Sequence, residues 1–200
     1  MQNAEIKMTE KESLELIATM INKAKNRVSE TGTMYLFWGW LILLCCLVHF
    51  TALHFFNYPY AYLVWLSTWI VVIVQFFYFR KKKKFKKVTT YTGEINRFVW
   101  LVFLISTLLI IFITIRFKRY ELIDPLILVL YGMPTFLSGI ILKFKPLIIG
   151  GTCCWLLSVF SVFIPVEYHS LLIAAAVILA WIIPGYFLKK NFKKENYNGF

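Results

Sequence analysis

From residue 34 onward the chain alternates long apolar runs with short polar or basic interruptions, and none of the runs shows the period of two that a half-buried strand needs. The runs cover 34–56, 60–79, 98–117, 125–142, 146–164 and 169–188. Each is close to the roughly 20 helical residues that cross about 30 Å of hydrocarbon. An unpaired peptide group in lipid costs several kcal/mol, so such runs are helical, and the lack of alternation excludes a barrel. The expected fold is therefore all-α and polytopic. Six transmembrane helices span 34–188, an amphipathic cytoplasmic helix lies within 1–33, and a basic cytoplasmic tail occupies 189–200.

The first 33 residues follow a different period. Thr9 and Glu12 have the T-x-x-E spacing of a capping box, which predicts a helix start. Leu14, Ile17, Ile21, Ala24 and Val28 follow at spacings of three, four, three and four and place one apolar stripe on a charged rod. Such a stripe needs a cover: the membrane surface, the rest of the chain, another protein or a second copy. Charges over 10–30 balance and no bulky aromatic is present, which weakens the membrane-surface reading. Leu14, Ile17, Ile21 and Ala24 are the expected partner contacts.

Charge then orients the runs. Only 16% of residues are charged against 60% hydrophobic, and the net charge of +12 gathers in blocks. Arg80, Lys81, Lys82, Lys83, Lys84, Lys86 and Lys87 follow the second run. Lys143 and Lys145 follow the fourth, and Lys189, Lys190, Lys193 and Lys194 the sixth. All fall on one side, which the positive-inside rule makes cytoplasmic together with both termini. Arg116, Lys118 and Arg119 fall on the other side, where Glu121 and Asp124 are near enough in sequence to pair with them. The first run is long enough to act as its own anchor, with no cleavable leader before it. The block at 80–87 is expected on anionic lipid headgroups, at about 1 kcal/mol per cation. With one interleaved aromatic, Phe85, it is a poor nucleic-acid surface.

The stretch 131–151, YGMPTFLSGIILKFKPLIIGG, changes the picture of the fourth and fifth helices. Pro134 removes a backbone donor and predicts a kink or break. Gly132, Thr135 and Gly139 share a face that admits a close neighbour, and Gly151, Cys154, Ser158 and Ser161 repeat the pattern one helix later. Ala176, Ala180 and Pro184 do so in the sixth. Lys143 and Lys145 mark a tight hairpin, with Pro146 suited to the first turn of the next helix. A second reading has the carbonyls freed at Pro134 line a transport cavity. Polar company for one is sparse (Gln75, Thr135, Ser138, Ser158, Ser161, His49), and no Asp, Glu, Lys or Arg lies centrally in a span, which argues against a driven transporter.

Evidence for chemistry is thin. Cys45 with Cys46 and Cys153 with Cys154 are adjacent pairs without zinc or redox spacing and read as small apolar fillers. A haem or metal held by histidines of the first and sixth helices, His49, His54 and His169, is a further alternative that would make the chain a membrane redox protein. No third ligand pattern supports it, and Glu167 beside His169 is a chance polar neighbour in an outer loop. No nucleophile motif, H-E-x-x-H, P-loop or dinucleotide fingerprint occurs, so no enzyme, metal or cofactor is expected.

Taken together, ESLELIATMI, YLFWGW, GMPTFLSGIILKFKPLIIGG and AWIIPGYFLKK resemble a group of short six-span inner-membrane proteins of Bacteroidetes-type bacteria, a group without an established activity. The resemblance implies a bacterial cytoplasmic membrane and carries over no catalytic or binding residue. The expected function is non-enzymatic: a docking, regulatory or complex subunit working through the cytoplasmic helix and basic loop.

Overall fold

A computed structural model of the chain describes residues 10–56, 58–83 and 91–197, with side chains over 32–56, 58–75, 77 and 93–190. Every regular element among the described residues is helical. In chain order these are α1 (Glu10–His54), a 3-10 turn (Ala61–Trp65), α2 (Leu66–Lys83), α3 (Tyr91–Arg116), a 3-10 turn (Tyr120–Leu122), α4 (Ile123–Ile141) and α5 (Lys145–Ser161). A third 3-10 turn (Val166–Tyr168) leads into α6 (His169–Val177), a π turn (Ile178–Ile182) and α7 (Ile183–Tyr197). Among the described residues four helices are long and apolar enough to cross a membrane: Gly32–His54, Gly93–Arg116, Tyr120–Ile141 and Val166–Lys190. Ala61–Gln75 and Lys145–Ser161 are apolar but shorter.

α1 is one unbroken helix of 45 residues, a rod about 68 Å long at 1.5 Å per residue. The boundary expected between an amphipathic helix ending at 33 and a span beginning at 34 therefore has no counterpart in the backbone. Gly32, at that boundary, does not stop the helix. It is buried, and a Cβ there would lie 3.1 Å from the Leu188 Cβ of α7, so its bare Cα lets two helices approach. Thr9 of the expected capping box lies outside the described residues.

The core lies among α1, α4, α5 and the α6–α7 rod. Leu128, Leu147, Cys46, Cys154, Ile173, Val177 and Ala176 are fully buried there. The π turn has a cause in the next residues. Pro184 has no N–H to return to the Ala180 carbonyl and its ring would press on it, so the helix widens over Ile178–Ile182. α5 and α1 close on that widened turn from two sides. A Cβ on Gly150 would come within 2.6 Å of the Ala180 Cα, and one on Gly39 within 2.7 Å of Ile182 Cγ1.

Both α3 and α4 end in a Schellman motif with lysine where glycine is usual. After α4, Phe144 N–H donates to the Gly139 carbonyl (2.8 Å) and Lys143 N–H to Ile140 (3.1 Å), with Lys143 at φ 51°. After α3, Arg119 N–H donates to Thr114 (2.9 Å) and Lys118 N–H to Ile115 (3.1 Å), with Lys118 at φ 55°. Arg116, Lys118 and Arg119 cluster at the carbonyl end of α3, where the helix dipole favours cations.

Candidate functional site

The residues singled out in 131–151 do converge. α4 and α5 lie side by side, joined by the Lys143 turn, and their glycines interlock. A Cβ on Gly132 would overlap the Trp155 indole and sit 2.9 Å from the Gly151 carbonyl oxygen; one on Gly151 would sit 2.8 Å from the Phe136 backbone nitrogen. Gly139 meets Ile148 in the same way, with a Cβ at 2.7 Å from its nitrogen. Trp155 then lies against Phe136 with ring centroids 5.2 Å apart and donates its indole N–H to the Val129 carbonyl at 3.2 Å.

The break expected at Pro134 is not found: α4 runs continuously from Ile123 to Ile141 with Pro134 inside it. The local loss is one hydrogen bond, and a fully buried position packed by neighbouring helices holds the turn in place. Thr135, the next residue, donates to the Tyr131 carbonyl at 2.7 Å and accepts from Trp181 Nε1 at 2.9 Å. Trp181 belongs to the π turn, so the irregularity in one helix faces the proline turn of another. Around this bond Tyr35, Trp100, Phe103, Tyr131 and Trp181 form one aromatic cluster, with the Tyr131 and Trp181 centroids 4.7 Å apart. Sequence reading missed the cluster, because its members come from α1, α3, α4 and the π turn at no common spacing.

Two polar sites flank that cluster. Toward the Lys143 end, Ser138 donates to Asn96 Oδ1 at 2.6 Å, and the Tyr35 hydroxyl is buried close by. Toward the opposite end, His169, 3% exposed, places Nε2 at 3.0 Å from the Ser161 carbonyl and 3.1 Å from that of Ile164. Its Nδ1 faces Asp124 Oδ2 at 3.8 Å. Asp124 was expected to pair with Arg116, Lys118 or Arg119. Instead it turns inward to His169, and Arg119 takes Glu121 at 3.2 Å. Glu167, the sequence neighbour of His169, is exposed. Ser158, which donates to the Pro125 carbonyl at 2.8 Å, ties α5 to α4 beside the pair.

The other expected contacts are less defined. Leu14, Ile17, Ile21 and Ala24 lie on α1, but their side chains are outside the described ones, as are those of Arg80, Lys81, Lys82 and Lys83 on the last turn of α2. Lys84, Lys86 and Lys87 lie outside the described residues. An apolar groove of about 270 Å³ opens between α5 and α7, with Ile149, Cys153, Leu179 and Phe187 on its walls. It does not reach Pro134. Among the described residues no three His, Cys, Asp or Glu side chains gather as metal ligands. Comparison with family models, curated proteins and solved structures found no match to this chain.

Proposed function

We propose that the chain is a non-enzymatic, multi-pass protein of a bacterial cytoplasmic membrane that docks a protein partner on the inner part of α1. In this reading six helices cross the bilayer, α2 and α5 included, and both termini with the three lysine blocks face the cytoplasm. The block at 80–87 rests on anionic headgroups and holds the adjoining helix ends at the interface.

One observation carries the reading. α1 continues without a break from the candidate span Gly32–His54 back to Glu10. The stretch 10–31 thus continues the span as about 33 Å of unbroken helix, with the stripe of Leu14, Ile17, Ile21 and Ala24 along it. A helix fixed at one end and carrying an apolar stripe is pre-organised for helix-in-groove recognition, since little ordering entropy remains to be lost on binding.

The transport alternative draws on Pro134, and the burial of Pro134, Thr135 and Ser138 among packed side chains favours docking over a conduit there. The test is a photocrosslinker at position 17 in intact cells, compared with the Leu14→Asp and Ile21→Asp variants. The expected outcome is a discrete adduct that both variants lose while membrane insertion is unchanged. A crosslink only to lipid, or none, overturns the proposal. Labelling of engineered single thiols at 83 and 190 tests the topology separately, and labelling from opposite compartments sinks it.

A further inference from the structure

We propose that Asp124 and His169 form a proton-binding site at the end of the bundle remote from Lys143, holding one proton between Nδ1 and the carboxylate. The argument begins with the ring's other nitrogen. Nε2 lies within hydrogen-bond distance of two backbone carbonyls, Ser161 and Ile164, and a carbonyl only accepts. Nε2 therefore carries a hydrogen and donates to both. This fixes the tautomer: in neutral imidazole the lone pair is on Nδ1, which is buried, has no hydrogen-bond partner and faces Asp124 Oδ2 at 3.8 Å.

A lone pair facing an ionised carboxylate is repulsive, and it leaves the pair with a net charge of −1 inside an apolar bundle. One added proton removes both penalties. On Nδ1 it makes an imidazolium beside a carboxylate; on Asp124 it makes a carboxylic acid that donates to Nδ1. Either way the pair becomes neutral overall and the 3.8 Å gap closes to a charge-assisted or neutral hydrogen bond. The proton comes from the medium by way of Asp124, whose side chain is 23% exposed against 4% for His169.

Among the described residues the surroundings supply no competing cation. From α1 the nearest titratable neighbours are Cys46 and, toward the first 3-10 turn, His49, whose ring packs on Trp65 at 6.0 Å. From α4 there is Tyr131, and α5 presents the hydroxyls of Ser158 and Ser161 and, one turn further from the pair, the buried thiol of Cys154. The 3-10 turn before α6 contributes Glu167 and Tyr168, both exposed, and α6 adds Ser170, buried and without a hydrogen-bond partner. Arg116, Lys118 and Arg119 are exposed on the α3–α4 connection, with Arg119 engaged by Glu121. The carboxylate thus has the imidazole as its only short-range cationic partner among the described residues. Because His169 also binds the Ser161 carbonyl at the end of α5 and that of Ile164 in the connection beyond it, the proton is shared at the joint of α4, α5 and α6.

The test uses the full chain in lipid nanodiscs at about pH 7, the range in which histidine ordinarily titrates. Nitrogen-15 spectra of labelled histidine report which ring nitrogens of His169 carry hydrogen, with His49→Phe and His54→Phe assigning the other two signals. Infrared difference spectra report whether Asp124 is a carboxylic acid, assigned by Asp124→Asn. The expected result is Nε2 protonated together with a second proton, either on Nδ1 or on Asp124, and loss of that second proton in Asp124→Asn. A bare Nδ1 beside an ionised Asp124 overturns the proposal, as does an unprotonated Nε2. The decisive measurement is on the unmodified chain, so a variant that fails to insert does not remove the test.

Discussion

The α4–α5 seam and the outer helices α2 and α3 are all built from apolar sequence, yet they are held in different ways. In the seam, Gly132, Gly139 and Gly151 bring backbones together, and Pro134, Thr135 and Ser138 are fully buried. α2 and α3 turn wide aliphatic and aromatic faces outward: Ile70 is 62% and Phe112 68% exposed. What joins α2 to α1 is largely polar. Trp38 Nε1 donates to Gln75 at 3.0 Å, and Cys45 lies 3.4 Å from Ser67, whose hydroxyl already donates to Val64, which leaves the thiol as donor. Burying leucine against leucine gains little when the alternative solvent is hydrocarbon, so hydropathy does not decide which helices pack. Small residues and a few side-chain hydrogen bonds do.

That contrast can be broken most severely at the seam. Gly132→Leu and Gly151→Leu should each cost about 3 kcal/mol or more, because the added atoms meet an indole and backbone; thermal unfolding in a fixed detergent measures it. Thr135→Val removes the acceptor of the buried Trp181 N–H and should cost about 1 kcal/mol. Its fingerprint is a changed Trp181 fluorescence, judged against Trp181→Phe. Gln75→Leu should cost about 0.6 kcal/mol and raise hydrogen exchange in α2 while leaving α4 unchanged, which would sharpen the distinction between the two regions. Ile105→Ala and Phe112→Ala, on the exposed face of α3, should stay within about 0.5 kcal/mol of the parent. A loss comparable to Gly151→Leu there would mean that this face is packed against something.

Much of the architecture was legible before any coordinates. Apolar run length marks helices, and Gly132, Thr135, Gly139 and Gly151 announce a close seam because a missing side chain has only one steric use in lipid. Other features were hidden for physical reasons. The helix ends after Arg116 and Ile141 carry Lys118 and Lys143 in the left-handed region, and lysine gives no glycine-like signal there. The π turn at Ile178–Ile182 lies in a uniformly apolar stretch, where a change of helical period leaves no trace in the pattern. Asp124 was assigned to nearby arginine and lysine because sequence distance was the only measure at hand. The fold brings it to His169, 45 positions away. Of the kink or break expected at Pro134, the break is absent, because the neighbours that bury the position hold the helix together across the missing hydrogen bond.

The continuity of α1 has a mechanical consequence. A stiff shaft about 68 Å long, gripped by α7 at Gly32 and by the π turn at Gly39, behaves as a lever with its fulcrum at those two glycines. Sideways force applied near Glu10 is delivered as torque to Trp181 and the π turn, where the opposing rod departs from the regular helical period.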